Sequence, residues 1–173
     1  MRYRIETERL LLRPLYREDA KQMFDTWASD PNVCRYLSWS PHKDISVTEY
    51  LLGLWEEEYA RDDVYRFGIE LRETGELIGS IDVVRYVDGV PEIGYVSGAR
   101  FWGHGYMTEA CNALLGLLKE RGFETACIFA FSDNIGSNRV IQKCGFTFIR
   151  NFTIDIPQKG LFNVTANWYE KKL

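Results

Sequence analysis

The hydrophobic positions in the first third of the chain favour one short strand followed by two helices. Residues 8–13 (ERLLLR) form an apolar run that Pro14 ends, which is typical of a strand. Apolar residues then recur at helical spacing over 20–28, and the Asp30-Pro31 pair predicts the end of this helix. The capping-box sequence SVTE (46–49) predicts the start of a second helix, whose apolar face would consist of Val47, Tyr50, Leu51, Leu54 and Trp55.

From residue 65 the apolar period changes to the twofold alternation of strands. The segments YRFGIEL (65–71), LIGSIDVV (77–84) and PEIGYV (91–96) are separated by turns that contain Gly75 and Gly89. This pattern predicts an antiparallel meander of three strands.

The second half of the chain alternates helix and strand before it closes on two strands. Helical spacing over 106–121 is followed by TACIFAF (125–131), whose unbroken apolar run is typical of a central strand covered on both faces. A short helix over 138–143 precedes the segments FTFIRNFTIDI (146–156) and LFNVTANWYEKK (161–172), which we expect to pair antiparallel.

This order of elements indicates a mixed α+β fold in a single domain spanning residues 1–173. We expect a mostly antiparallel sheet of about seven strands and about four helices. The helix over 106–121 connects PEIGYV to TACIFAF, so these fourth and fifth strands are expected to be parallel. If the two strands also splay apart, a cofactor can enter the gap between them.

Composition narrows the class of protein. The chain has 173 residues, is 46% hydrophobic and carries a net charge of −4, values typical of a globular protein with one core. It has no basic block, so nucleic acid is not expected as a main partner. The longest apolar runs are far below the roughly 20 residues that cross a bilayer, so we expect no membrane partner and a cytoplasmic location.

The cysteines and histidines give no sign of a metal or disulfide site. Cys34, Cys111, Cys127 and Cys144 form no C-x-x-C pair, and each lies among apolar neighbours or in a predicted helix or strand. We expect four reduced, buried thiols. Only two histidines are present and no Cys/His cluster exists, so no metal is expected.

The candidate chemistry is concentrated in RFWGHG (100–105), at the junction between a strand and a helix. Gly103 and Gly105 lie where unpaired backbone N–H groups and the helix dipole favour an anion such as phosphate. Taken alone, the two glycines fit a simple tight strand-to-helix turn better than an anion site. A dinucleotide fingerprint needs a glycine where Thr108 stands, and the G-K-[ST] of a nucleotide-binding loop is absent.

A longer pattern distinguishes these possibilities. The stretch RFWGHGYMTEA (100–110) resembles the coenzyme A pyrophosphate loop of the GNAT acetyltransferases, EIGY (92–95) resembles that family's fourth strand, and the N-x-x-S…K-x-G-F segment (134–146) resembles its next helix. The segments ETERLLLRPLYREDA (6–20) and TGELIG (74–79) are similar to the branch that includes the ribosomal-protein N-terminal acetyltransferases. The resemblance covers nearly the whole chain, in the expected order.

The resemblance implies the GNAT fold and acetyl-CoA as co-substrate, bound along the splayed strand pair. Backbone N–H groups from 102 to 107 would hold the pyrophosphate, and the strand end at 96–98 would pair with the pantetheine arm. The thioester carbonyl is expected near the N–H of Val96, where a donor can stabilise an oxyanion. The residues expected to contact the coenzyme are Val96, Ser97, Gly98, Arg100, Trp102, Gly103, His104, Gly105, Tyr106, Met107, Asn134 and Asn138.

Two side chains are candidates for acid–base catalysis. An amine acceptor is mostly protonated at neutral pH, so it needs a base, and the family position points to Glu92, acting directly or through water. Glu92 also fits an ordinary hydrogen-bonding strand residue. Glu109, in the first helical turn, is expected to be a dipole partner. Ser137 is the candidate that protonates the departing thiolate, and it also fits a helix-cap role together with Asn134.

The acceptor site is less defined by sequence. The family places it between the first two helices and the last hairpin, and close relatives often carry an aspartate where this chain has FNVT (162–165). Core packing also explains each aromatic residue of these segments. The candidate acceptor-binding residues are Tyr36, Trp39 and Tyr86, with Phe152 and Phe162 as further aromatic positions.

The resulting hypothesis is an N-acetyltransferase that acts by direct attack in a ternary complex, as a monomer or homodimer. A ping-pong route through Cys127 or Cys144 is disfavoured because neither cysteine has a histidine at a recognisable spacing. The acceptor is a protein N-terminal α-amine or, as an alternative, a small-molecule amine such as an amino acid, a polyamine or an antibiotic. A non-catalytic acyl-CoA binding module is the third reading.

Overall fold

The computed structural model describes residues 3–173, which form one eight-stranded, mostly antiparallel sheet with helices packed on it. The mixed α+β architecture is thereby confirmed. The spatial order is β1-β2-β3-β4-β5-β6-β8-β7. The strands are β1 (Ile5–Glu6), β2 (Leu10–Arg13), β3 (Arg66–Leu71), β4 (Leu77–Val87), β5 (Val90–Ser97), β6 (Thr125–Phe131), β7 (Thr147–Ile156) and β8 (Leu161–Lys172).

Five helices accompany the sheet. They are α1 (Ala20–Met23, continued by a π-helical turn over Phe24–Ala28), α2 (Pro31–Cys34), α3 (Ile45–Glu58), α4 (Tyr106–Glu120) and α5 (Ile135–Lys143). The extra helix follows from the Asp30-Pro31 pair, which begins α2 as well as ending the first helical region. The Asp30 side chain accepts a bond from the N–H of Asn32, and Pro31 occupies the first helical position.

Helix α3 differs from its predicted start and its predicted buried face. Asp44 caps it by accepting a bond from the N–H of Ser46, so the capping box at 46–49 is wrong. Tyr50, placed on the core face by its spacing, is 69% exposed. Leu51 and Trp55 pack against the core as predicted, but the fully buried residues of α3 are Thr48, Leu52 and Gly53. A Cβ at Gly53 would overlap the Arg17 side chain, so the glycine allows close packing here. Val47 and Leu54 are likewise exposed.

The two faces of the sheet carry separate apolar clusters. Alternate residues of a strand point to opposite faces, and Ile93 and Tyr95 of β5 accordingly pack with α4 and α5. Val96 packs with the cluster that includes residues of α1 and α3. Side chains of β5 therefore reach both faces of the sheet, which matters for the site described below.

Strands β5 and β6 diverge along their length. They run parallel, as the crossover by α4 requires, and within residues 3–173 their register contains the single pair Glu92↔Cys127. Beyond this pair the carboxyl-terminal part of β5 has no strand on its β6 side. The expected splayed parallel pair is confirmed, and a gap opens beside residues 93–97.

The fold predicts opposite effects for the same substitution at two glycines. A Cβ at Gly79 of β4 would overlap the carbonyl oxygen of Val96 in β5, whereas a Cβ at Gly116 of α4 meets no atom within 4 Å. We expect Gly79→Ala to lower the free energy of unfolding by about 1–3 kcal/mol through overpacking. Gly116→Ala, the matched control, should raise it by about 0.5–1 kcal/mol, because alanine is the better helix former. Urea unfolding measures both, and equal midpoints would contradict the contact between β4 and β5.

Candidate active site

The loop before α4 has the geometry of an anion site. Gly103 and Gly105 adopt left-handed φ angles of 79° and 81°, which side-chain-bearing residues rarely adopt. The first helical hydrogen bond runs from the N–H of Glu109 to the carbonyl of Gly105, at 3.1 Å. The N–H groups of residues 106–108 consequently have no acceptor within the helix, and no side chain caps α4. These donors and the helix dipole favour a phosphate group here.

Arg9, in the turn between β1 and β2, stabilises this loop. Its Nε donates to Glu109 at 2.7 Å, its Nη1 donates to the carbonyl of His104 at 3.0 Å, and its guanidinium lies 4.6 Å from the ring centre of Tyr106. Burial opposes ionisation of Glu109, but the hydrogen bonds from Thr7 and Arg9 outweigh it and hold the pKa of the carboxyl below its usual value. Glu109 therefore connects α4 to the N-terminal strands and is a poor base.

The other side chains of the loop form hydrogen bonds, ring contacts or ion pairs within the protein. The indole N–H of Trp102 donates to the carbonyl of Ser97 at 3.0 Å, and the ring of His104 stacks on Tyr106 with an interplanar angle of 8°. Arg100 forms an ion pair with Glu76, next to the β3–β4 turn. The sequence-predicted coenzyme residues of the loop thus lie together, at one end of the gap.

The register of β5 changes the expected role of Val96. Gly98 donates to the carbonyl of Ile78 at 3.0 Å, and hydrogen-bonded pairs alternate along an antiparallel ladder, so the N–H of Val96 bonds Ser80 of β4. This register disfavours the expected contact between the Val96 N–H and the thioester carbonyl, which stays a prediction. The N–H groups of Tyr95 and Ser97 face the gap instead.

The two asparagines of the N-x-x-S segment differ in how they are used. Asn134 caps α5 by accepting from the N–H of Ser137 at 3.2 Å. Asn138 is buried, and it donates to two carbonyls and accepts from Asn167 and Tyr169. Since each polar atom of the Asn138 amide already has its partners, a bond to pantetheine would have to replace one of them. Its predicted coenzyme contact stays a prediction.

Glu92 lies in a row of polar side chains that crosses three strands. It is 3% exposed, and its carboxylate pairs with Arg85 at 2.9 Å. In the register Glu92 lies opposite Cys127, and Cys127 lies opposite Glu170, so the three side chains share the face of α1 and α3. This is the face on which the acceptor is expected.

The thiol of Cys127 is not activated by these neighbours. Burial and, next, the charges of Glu92 and Glu170 raise the pKa of Cys127 to about 12. A thiol with this pKa is almost entirely protonated at neutral pH and is a poor nucleophile. This supports direct transfer over an acyl-cysteine intermediate at this residue.

Ser137 lies on the opposite face of the sheet, paired with a residue that sequence reasoning missed. The hydroxyls of Tyr95 and Ser137 are 2.9 Å apart, which joins β5 to the first turn of α5. The alternation in EIGY places Tyr95 opposite to Glu92, but nothing in the sequence pattern joins it to residue 137. Burial raises the pKa of Tyr95 far above its usual value.

The aromatic residues proposed for the acceptor fall into two groups. Tyr36 packs edge-on against Phe131 at 6.3 Å between ring centres, and Phe152 packs edge-on against Phe129 at 5.5 Å. Both pairs belong to one cluster on the Glu92 face. Trp39 lies nearby in chain position and contacts His42, and Phe162 is 61% exposed on β8.

Tyr86 does not join this group, which corrects its assignment to the acceptor site. It pairs with Pro91 at the start of β5, stacks on Phe123 after the C-terminal end of α4, and donates to the carbonyl of Asp63. Phe123 belongs to the cluster that packs with α4, so Tyr86 lies on the opposite face of the sheet from Glu92. The β-bulge between Val83 and Arg85 shifts the twofold alternation of β4, and the sequence pattern does not reveal this shift.

A second feature that the sequence did not predict connects the two segments expected to flank the acceptor. The 3₁₀ turn Pro157–Lys159 between β7 and β8 reaches the segment after α2. The Lys159 ammonium donates to the carbonyls of Cys34 and Leu37 at 2.7 and 3.0 Å, and the Gln158 amide donates to the carbonyl of Ser38 at 2.7 Å. More than 115 residues separate these partners in sequence, so no local pattern could reveal them.

Among residues 3–173, no group of three or more His, Cys, Asp or Glu side chains is arranged to hold a metal ion. No helix in the same range is both long enough and apolar enough to cross a membrane.

Comparison with known proteins bears on the whole chain. The family model described as an acetyltransferase (GNAT) domain matches residues 9–147. The uncharacterized N-acetyltransferase YoaA of Bacillus subtilis is 30% identical over 82% of this chain and 81% of its own. The uncharacterized N-acetyltransferase p20 of Bacillus licheniformis is 34% identical over 63% of this chain, and that match spans 62% of the relative's length.

Solved structures share the fold. A GNAT-family acetyltransferase from Bacillus anthracis superposes with a TM-score of 0.84 at 24% identity, covering 98% of both chains. The ribosomal-protein α-N-acetyltransferase RimL, in complex with coenzyme A, gives 0.84 at 19% identity over 99% of this chain and 98% of its own. The microcin C7 self-immunity acetyltransferase MccE, in complex with acetyl-CoA and AMP, gives 0.84 at 19% identity over 96% and 94%.

These matches agree with the splayed β5–β6 pair and the glycine loop at the start of α4. The chain belongs to the GNAT acetyltransferase family and is an acyltransferase.

Proposed function

We propose that the protein transfers an acetyl group from acetyl-CoA to a protein N-terminal α-amine, by direct attack in a ternary complex. The observation that carries the proposal is the gap between β5 and β6. The gap has a phosphate-binding loop at its end, Glu92 on one face of the sheet and Ser137 on the other. Donor and acceptor can therefore approach the same opening from opposite sides.

The residues beside the gap fit coenzyme A. The loop at 103–105 lacks side chains at its two left-handed positions, so its backbone can approach a pyrophosphate closely. The open edge of β5 offers the N–H groups of Tyr95 and Ser97 to an extended pantetheine arm, in the manner of an added strand. An N–H at this edge is also suited to stabilise the oxyanion that forms on the thioester carbonyl.

Glu92 is the proposed base. An α-amine has a pKa of about 8 and must lose a proton before it attacks. Arg85 pairs with the Glu92 carboxylate at 2.9 Å and fixes its position on β5, where it can accept that proton. Glu92 lies three residues from Tyr95, about 10 Å along the strand, so a relay through water fits the spacing better than direct contact.

Electrostatics on the Glu92 face favours a peptide terminus over a free amino acid. Glu92 and Glu170 lie in one row, and the charge of Arg85 is already paired. A free amino acid would bring its own carboxylate next to the reacting amine and towards these two carboxylates. A peptide α-amine has no such neighbouring carboxylate. The aromatic cluster with Tyr36 and Phe152 then provides an apolar wall for the first side chains.

A small-molecule amine is the second candidate, and one observation favours it. The bonds of Lys159 and Gln158 to the segment 34–38 join the hairpin to the opposite wall and limit the space for a longer chain. The fold neighbours include both RimL and MccE, so fold similarity does not separate the two candidates.

The acceptor is tested by a turnover assay with acetyl-CoA and four acceptor sets: short peptides with a free N-terminus, the same peptides N-terminally blocked, free amino acids, and polyamines. We expect thiol release with the free-terminus peptides, and at least about tenfold less with free amino acids because of the carboxylate repulsion. If blocked and free-terminus peptides are turned over equally, the acceptor is a side-chain amine. Turnover of polyamines alone would select the second candidate.

The loop assignment is tested by two matched glycine variants at the ends of α4. Gly105→Glu places bulk and a negative charge where the pyrophosphate is proposed to bind, and we expect coenzyme A affinity to fall by at least about 100-fold. Gly122→Glu introduces the same residue at a similarly left-handed glycine, φ 87°, past the other end of the helix, and should keep wild-type affinity. Isothermal titration calorimetry measures the coenzyme A affinity of both variants. Retained micromolar affinity in Gly105→Glu would contradict the loop assignment.

The base is tested by Glu92→Gln, which keeps the size of the side chain and removes its basicity. We expect kcat to fall about 100-fold at neutral pH. Glu70→Gln is the control, because Glu70 of β3 forms a comparable ion pair with Arg13 of β2, away from the gap. It should destabilise the protein without lowering kcat. A loss of less than about threefold in Glu92→Gln would remove Glu92 from the role of base.

A further inference from the structure

We propose that Tyr95 is a positioning residue that orients the Ser137 hydroxyl towards the departing sulfur. The inference rests on the proposed function and deepens it, since it concerns how the leaving group is stabilised. It comes from the contact between β5 and α5, where two hydroxyls meet beside the gap.

The geometry of this contact is well defined. The Tyr95 hydroxyl lies 2.9 Å from Ser137 Oγ and 3.2 Å from the main-chain oxygen of the same residue. The N–H of Ser137 is bound to the Asn134 side chain at 3.2 Å, which fixes the first turn of α5. Ser137 is thus held on one side by its cap and on the other by Tyr95.

Counting hydrogens limits the possible arrangements of this contact. A tyrosine hydroxyl has one hydrogen and a serine hydroxyl has one. The Tyr95 hydrogen can go to Ser137 Oγ or to the main-chain oxygen of Ser137. The proposal requires the first arrangement, in which the hydrogen of Ser137 is available to a ligand in the gap. Without Tyr95, the serine hydroxyl would be able to rotate towards other acceptors.

The surroundings keep Tyr95 a donor. Burial raises the pKa of its phenol, so the hydroxyl stays protonated throughout the pH range in which the enzyme would work. Tyr95 is therefore suited to hold a hydrogen bond and unsuited to accept the proton of an amine. The base must lie elsewhere, which agrees with Glu92 on the opposite face of the sheet.

The chemical step balances without transfer of the tyrosine proton. The amine nitrogen forms a bond to the acetyl carbon, its proton leaves towards Glu92, and the C–S bond breaks with its electron pair passing to sulfur. The hydrogen of Ser137 bonds to the sulfur as negative charge develops there, and the N-terminal end of α5 adds a favourable dipole. The thiolate leaves hydrogen-bonded and takes up the released proton through solvent.

The test compares Tyr95→Phe, Ser137→Ala and the double variant with acetyl-CoA and the best acceptor. We expect Tyr95→Phe to lower kcat about tenfold while the KM for acetyl-CoA changes less than about twofold, because binding contacts are kept. Ser137→Ala should lower kcat more, by about 100-fold. The double variant should be no slower than Ser137→Ala, since Tyr95 acts through Ser137.

A matched control separates positioning from stability. Tyr169→Phe also removes a buried tyrosine hydroxyl bonded to α5, since Tyr169 donates to Asn138 at 2.7 Å, one residue along the helix from Ser137. Both tyrosine variants should lower Tm by similar amounts. Only Tyr95→Phe should show the non-additive loss of kcat with Ser137→Ala, and its acid pH limb should stay at the wild-type position.

Four outcomes decide whether Tyr95 positions Ser137. The non-additive loss supports the inference. Additive losses in the double variant, a loss in Tyr95→Phe confined to KM, or a wild-type kcat in Tyr95→Phe would each overturn it while leaving the acetyltransferase activity intact. Absence of thiol release by the wild-type protein with every acceptor would instead contradict the proposed function, so the two failures are distinguishable.

Discussion

The divergence of β5 from β6 after the pair Glu92↔Cys127 is the constraint on which the site depends. A strand that loses its neighbour leaves alternate N–H and C=O groups unpaired on one edge, and these groups favour an extended polar ligand in place of the missing strand. Because α4 begins beyond this same end of β5, its N-terminal N–H groups meet the gap. One topological feature thus brings strand donors and helix donors to a single opening.

The sheet itself separates the two halves of the proposed chemistry. Residues that alternate along β5 point to opposite faces, so Glu92 lies with the acceptor aromatics while Tyr95 reaches Ser137 on the side of α5. The placement of Glu92 and Ser137 on opposite faces lets the amine and the sulfur each meet a separate group, with the acetyl carbon between them.

Hydrogen-bond accounting distinguishes residues that support the site from residues available to a ligand. Asn138, Gly98 and the N–H of Val96 are bound within the protein and hold α5 and β5 in place. Within residues 3–173, no side chain caps the N–H groups at the start of α4, and β5 has no strand partner on its β6 side after Glu92. Motif resemblance does not make this distinction, because it names a residue without showing where its bonds go.

The sequence by itself determined the fold class, the parallel β5–β6 pair and the glycine loop, because these follow from local periodicity, turn residues and one crossover helix. The splay of the pair was implied by the family resemblance. The sequence failed where several packings satisfy one pattern. The fully buried residues of α3 include Thr48 and Gly53, which the apolar pattern does not select, and a β-bulge in β4 places Tyr86 on the α4 face. The bonds of Tyr95 to Ser137 and of Lys159 to Cys34 join distant segments. Only the tertiary structure decides such contacts, since they depend on strand register and on which elements meet.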